Sequence, residues 1–139
     1  MTNTKIAGRC LCGAIRYSAV GEPVAVAICH CDDCQRQSGA PFSLNVVVAE
    51  EALSVEGDLT VFETIGTETG KPRERRFCGT CGSPVITIVE EMLGMAVIKA
   101  GTLDDRSWLQ PGLELWTDRR HEWLSIDGER MELPTGPPA

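Results

Sequence analysis

Seven cysteines in three short clusters carry the chemistry open to this chain. The first cluster is Cys10-Leu11-Cys12-Gly13. On an extended strand residues i and i+2 point to one face, so both thiolates can reach one ion. The last cluster is Cys78-Gly79-Thr80-Cys81-Gly82. Its two-residue spacer makes a tight turn with converging sulfurs, and Gly82 is free to take positive φ. Together these two clusters supply four sulfurs, the donor set of a closed, structural zinc site. Such a site ties the start of the chain to its middle. The second cluster, Cys29-His30-Cys31-Asp32-Asp33-Cys34, places three thiols within six residues. Three protein ligands leave one tetrahedral position open to water or substrate, as catalytic zinc sites do. Spacing alone leaves the partition open. The middle cluster can share ligands with a neighbour, take His30 or His121 as a fourth, or hold a second structural metal.

The other polar residues read more plainly. His30 lies between two ligand candidates, so an extended backbone points it away from them, as a hydrogen-bonding neighbour. His121 follows Asp118-Arg119-Arg120 and reads as a surface histidine. The run Lys71-Pro72-Arg73-Glu74-Arg75-Arg76 is basic but interrupted by Glu74, and reads as a solvated strand face. Trp108, Trp116 and Trp123 read as core or edge packing, and Asp104-Asp105 as turn formers.

The elements that must position the cysteines are mostly short strands. Residues 14–20, 24–28, 42–48 and 95–100 have strand-like apolar or β-branched patterns. Residues 31–39 are polar and suit a helical turn. Gly57-Asp58 between residues 53–56 and 59–62 predicts a hairpin. Residues 73–77 and 85–89 flank the last cluster and predict a hairpin closed by a metal knuckle. Residues 113–117 and 123–126 predict two further strands, and 65–72 a loop. Long amphipathic helical periodicity and internal repeats are absent. The chain reads as one mainly β domain over residues 1–139, with a core at about 8–126 and a loose tail at 133–139.

Composition bounds the rest. The chain has 139 residues, 42% of them hydrophobic and 24% charged, as in ordinary globular domains. Thirteen basic against twenty acidic residues give a net charge of −7. An acidic surface repels phosphate backbones, so nucleic acid is not an expected partner. No apolar run nears the ~18 residues of a membrane span, and residues 1–9 lack a signal-like apolar stretch. The expected setting is cytoplasmic, without a membrane partner. In a reducing compartment, clustered cysteines point to metal or redox chemistry rather than disulfides.

These motifs, together with Ser38-Gly39-Ala40-Pro41-Phe42, Phe77 before the last cluster and Gly101-Thr102-Leu103-Asp104-Asp105, resemble the glutathione-dependent formaldehyde-activating family, which shares its domain with centromere protein V. The resemblance spans residues 8–126. It implies a β-tent fold of the Mss4-like type and two zinc ions per chain. One zinc is structural, on Cys10, Cys12, Cys78 and Cys81. The other is catalytic, on Cys29, Cys31 and Cys34. It further implies a carbon–sulfur lyase that adds the thiol of glutathione to formaldehyde, a small carbonyl, giving S-hydroxymethylglutathione.

On that reading a free thiol, with a pKa near ~8.5, needs a metal to become thiolate at neutral pH. Three thiolates leave the zinc site at −3 + 2 = −1, which favours thiol chemistry over water activation. His30, Asp32 and Asp33 are the nearest candidates for moving the proton. One rival is a non-catalytic, zinc-stabilised interaction module, which would lack a pocket beside the middle cluster. Another is a methionine sulfoxide reductase, which needs a reactive cysteine late in the chain, whereas the last one here is Cys81.

Overall fold

The computed structural model describes residues 6–136. In chain order the strands are β1 (Ile6–Arg9), β2 (Arg16–Ala19), β3 (Ala25–Cys29), β4 (Ser43–Ala49), β5 (Leu53–Glu56), β6 (Leu59–Ile65), β7 (Pro72–Cys78), β8 (Pro84–Val89), β9 (Met95–Lys99), β10 (Leu113–Leu115) and β11 (Met131–Glu132). Among the described residues one α-helix, α1 (Asp32–Ser38), follows β3, and Glu50–Ala52, Ala100–Thr102 and Thr117–Arg119 form single 3-10 turns. A small sheet has the order β1-β2-β5, and a large one the order β11-β10-β3-β4-β9-β8-β7-β6. Neighbours in both are antiparallel, except that β10 runs parallel to β3 and to β11. The mainly β, β-tent architecture implied by the resemblance is the architecture observed.

Period-two alternation gives the large sheet two unlike faces. Val46 and Val48 of β4, Ile86 of β8, and Ala96 and Ile98 of β9 are buried with Ile6, Ile15 and Tyr17 from the small-sheet side, forming the core. Their strand neighbours face the other way. Cross-strand registers set Ala25, Val47, Val97, Thr87 and Arg75 in one row, and Leu113, Ala27, Asn45 and Lys99 in another. That second face carries the candidate site.

Several expectations are corrected. β5 and β6 do not form a hairpin: β5 pairs with β2 and β6 with β7. Gly57 lies where the chain leaves one sheet for the other, at φ 97°. A Cβ there would stand 2.4 Å from the Ala14 carbonyl oxygen, so the Gly-Asp pair serves a crossover rather than a two-residue turn. Residues 123–126 form no strand, and Trp123 lies exposed against His121 with ring centroids 5.1 Å apart. The tail is anchored over part of its length. The carbonyls of Leu133, Pro134 and Thr135 accept hydrogen bonds from the backbone of Thr117, Asp118 and Trp116. Residues 137–139 lie outside the described residues. Strands β1 and β11, short and weakly patterned, were not expected. The hairpin of β7 and β8 around the last cysteine cluster is present as expected.

Candidate functional site

Two separate groups of sulfurs form, with all seven cysteines free. Cys10, Cys12, Cys78 and Cys81 bring their sulfurs within 4.8 Å of one another. The turn after β1 and the knuckle between β7 and β8 present them. Cys10 to Cys12 and Cys12 to Cys78 are both 3.7 Å, sulfur to sulfur. A tetrahedron with metal–sulfur bonds of ~2.3 Å has an edge of about 3.8 Å, so the set fits a zinc-sized ion. Backbone N–H groups support negative sulfurs: Ile15 donates to Cys10 at 3.3 Å, and Thr80 and Cys81 donate to Cys78 at 3.4 and 3.5 Å. The hydroxyl and backbone of Ser83 hold the Cys81 thiol down to about 5. The same hydroxyl accepts from the Leu11 N–H at 3.0 Å, stitching the turn to the knuckle.

Cys29, Cys31 and Cys34 form the second group, also within 4.8 Å. Cys29 ends β3, and Cys31 is the N-cap of α1, its sulfur accepting from the Cys34 N–H at 3.2 Å. A helix beginning right after the strand is what swings the third sulfur back to the first two. Gly39 ends this helix in the left-handed region, its N–H bonded to the Gln35 carbonyl. The Cys34 thiol is held down to about 3, first by its neighbours Cys29 and Cys31, with Lys99 and Arg75 adding positive charge against the cost of burial. Cys31 and Cys34, and then burial, push Cys29 up. Three convergent sulfurs, one strongly favouring thiolate, suit a cation and leave a fourth position to be filled. Neither His30 nor His121 joins either group among the described residues.

A cavity of about 460 Å³ opens on this second group. Its walls are largely apolar, including Ala27, Val47, Val97 and Leu113 from the sheet face. Asp33 accepts from the Thr67 N–H and hydroxyl at 2.8 and 2.7 Å. Burial works against its charge, but these bonds hold the Asp33 carboxyl below the ordinary carboxylate value. Arg119 bridges Asp32 of α1 and Glu68 of the 66–70 loop, each at 2.7 Å. These contacts clasp the loop to the helix at the cavity's edge. Trp116 lines the cavity at φ 57°, an uncommon backbone state for a non-glycine residue, with the Arg119 guanidinium 5.8 Å from its ring centroid.

His30 does not line the cavity. It is fully buried, and its Nε2 lies 2.7 Å from Glu114, a carboxylate only 1% exposed. Arg120 and Arg130 also bond Glu114, at 3.1 and 2.9 Å. The expectation that His30 relays a proton at the sulfurs is therefore corrected: alternation along the strand end turns it to the opposite side, where it anchors β3 to β10. Asp32 and Asp33 are near the sulfurs but already engaged. His121 is bonded to Gln35 at 2.8 Å.

The residues that sequence reasoning missed are Arg75, Lys99 and Glu114. Arg75 is only 9% exposed and faces the cavity, so the basic run is not uniformly a solvated face. Lys99 is 7% exposed, with Nζ donating to Ser43 Oγ at 2.8 Å. Burial lowers the Lys99 pKa while the three thiols, Cys34 foremost, pull it back up. A charge closing the apolar strand Met95–Lys99, at an alternation position away from the core, was the signal available.

Among the described residues no helix is long and apolar enough to cross a membrane. No curated protein matches the chain. The chain is similar to a Rhodobacter sphaeroides protein of known crystal structure, at 22% identity and a TM-score of 0.56, over 76% of this chain and 91% of that one. That likeness concerns the fold. The glutathione-dependent formaldehyde-activating enzyme family matches over residues 5–119, a stretch that contains both sulfur groups, Arg75, Lys99 and Glu114. With the cysteines folded into two metal-competent groups across that stretch, the chain belongs to the glutathione-dependent formaldehyde-activating enzyme family.

Proposed function

We propose that the protein is a zinc-dependent carbon–sulfur lyase-type enzyme that joins a thiol to a small carbonyl, with glutathione and formaldehyde as the pair. The carrying observation is the open cavity beside three convergent thiols, Cys29, Cys31 and Cys34. A purely structural metal has no use for such a cavity, which favours the enzyme over an interaction module. Cys10, Cys12, Cys78 and Cys81 would hold a structural zinc. A zinc held by Cys29, Cys31 and Cys34 would supply the positive charge that stabilises a substrate thiol as thiolate at neutral pH. The chain's residues do the remainder. The cavity volume lies within the range of small-ligand sites. The apolar walls thin out competing water, and the Asp33–Thr67 and Arg119 clasps fix the loop beside the sulfurs. The proton lost by the thiol leaves to solvent, since among the described residues no free base lines the sulfurs. A reducing, cytoplasmic setting supplies both the thiol and the free cysteines.

The test is the spectrum of the cobalt-substituted protein titrated with glutathione, with formaldehyde consumption followed in parallel. The expected result is a stronger sulfur-to-metal charge-transfer band on adding glutathione, turnover with formaldehyde, and loss of both in Cys31→Ser. A spectrum indifferent to any thiol would overturn the reading. A spectral change without formaldehyde turnover would overturn the formaldehyde assignment.

A further inference from the structure

Two buried cations face the cavity without a carboxylate partner. Arg75 is 9% exposed and has no hydrogen-bond or ion-pair partner among the described residues. Lys99, 7% exposed, donates to Ser43 Oγ at 2.8 Å and to Asn45 Oδ1 at 3.5 Å. An ammonium has three donors, so one remains. Among the described residues none of the cavity's carboxylates pairs directly with either cation. Glu91 pairs with Arg73, and Asp32 and Glu68 pair with Arg119. Asp33 spends its oxygens on Thr67 and feels Arg75 only through space. Arg75 and Lys99 stand on β7 and β9, two strands of the rigid sheet with only β8 between them. Burying a charge without a partner is costly, and a guanidinium cannot escape that cost by losing its proton.

We propose that Arg75 and Lys99 form an anion subsite that takes one anionic oxygen of the ligand beside the Cys29, Cys31 and Cys34 sulfurs. This deepens the proposed activity and rests on it for the identity of the reacting ligand. The oxygen has two possible sources. It is a carboxylate carried by the substrate, or it is the alkoxide formed in the reaction. In the second case the thiolate sulfur bonds to the carbonyl carbon, the carbonyl π pair moves onto oxygen, and the alkoxide takes a proton from water. In either case both cations donate hydrogen bonds to that oxygen.

Binding and kinetics separate the sources. Titrations of the metal-loaded, nitrogen-15-labelled chain with butyrate and with its neutral analogue butyramide, followed by nuclear magnetic resonance, read binding without any turnover. For a substrate carboxylate, butyrate binds at least about tenfold more tightly than butyramide, as a charge-assisted pair requires. That preference disappears in Arg75→Gln and in Lys99→Gln, and largely returns in Arg75→Lys and Lys99→Arg. For the alkoxide, the ground-state preference is absent. Instead kcat with glutathione and formaldehyde falls at least about a hundredfold in both Gln variants, with KM nearly unchanged. Circular dichroism and metal content check that the variants are folded and loaded. If the parent shows no preference for butyrate and the Gln variants keep kcat, or if the Gln variants retain the preference, the subsite is wrong. A butyrate preference that depends on both residues, in a protein without turnover, supports the subsite and sinks the thiol–carbonyl activity instead.

Discussion

His30 and Glu114 show how far single residues were legible. Strand alternation correctly turned His30 away from the sulfurs, yet nothing in the sequence named its partner 84 positions on. Glu114 sits mid-strand between two leucines, where nothing in the local sequence marks it. In the fold it is the hub of His30, Arg120 and Arg130, at the join of β3 and β10. Burial works against its charge, but the bonds from those three groups outweigh it and hold its carboxyl below the ordinary value. Replacing Glu114 by Gln leaves the buried Arg130 uncompensated and should cost about 3–5 kcal/mol of stability near neutral pH. A depressed folded pKa stabilises above the unfolded carboxylate value of about 4.3. The parent's advantage over Glu114→Gln should therefore be full above that pH. It should shrink as pH falls through the lower folded value. Denaturation midpoints of the two proteins across pH read this directly, and a gap that stays constant or widens in acid would refute the ionised hub.

At the scale of elements, the cysteine-bearing pieces were the most legible, because turn chemistry and ligand spacing are local. The β7–β8 hairpin with its knuckle, the turn after β3 and the central β-branched strands all stand where patterning put them. Pairing partners were not legible. Gly57-Asp58 has hairpin composition, but the flanking strands belong to different sheets, a choice made by which apolar faces the core collects. Basic residues on β7 were misread for the same reason: alternation shows that one of them must face inward without showing that a cavity waits there. Gly57 supplies a test of the crossover. An alanine there would meet the Ala14 carbonyl oxygen and the Ile15 side chain, and would hold φ 97° against its own preference. Gly57→Ala should lower stability by roughly 1–3 kcal/mol, seen as an earlier urea midpoint with an unchanged slope. A midpoint equal to the parent's would show that the crossover tolerates a side chain, contrary to this geometry.

Across the whole molecule, the two sulfur groups occupy different mechanical positions. Cys10 and Cys12, at the edge of the small sheet, meet Cys78 and Cys81, at a corner of the large one. A metal there would fasten the two sheets together. Structural zinc contributes ~10–16 kcal/mol in small peptides, comparable with the ~5–15 kcal/mol that holds a whole domain. Cys29, Cys31 and Cys34 are close in sequence, and a metal on them would close only a short loop beside a cavity. It should bind more weakly, reached from that cavity and held by three ligands rather than four. The zinc content of the folded chain can be read by native mass spectrometry before and after brief exposure to a mild chelator. It should be two zinc ions falling to one with the fold retained, and one from the start in Cys31→Ser. A parent that holds a single zinc, unchanged in Cys31→Ser, would rule out two separate zinc sites, as would two ions that leave only together with the fold.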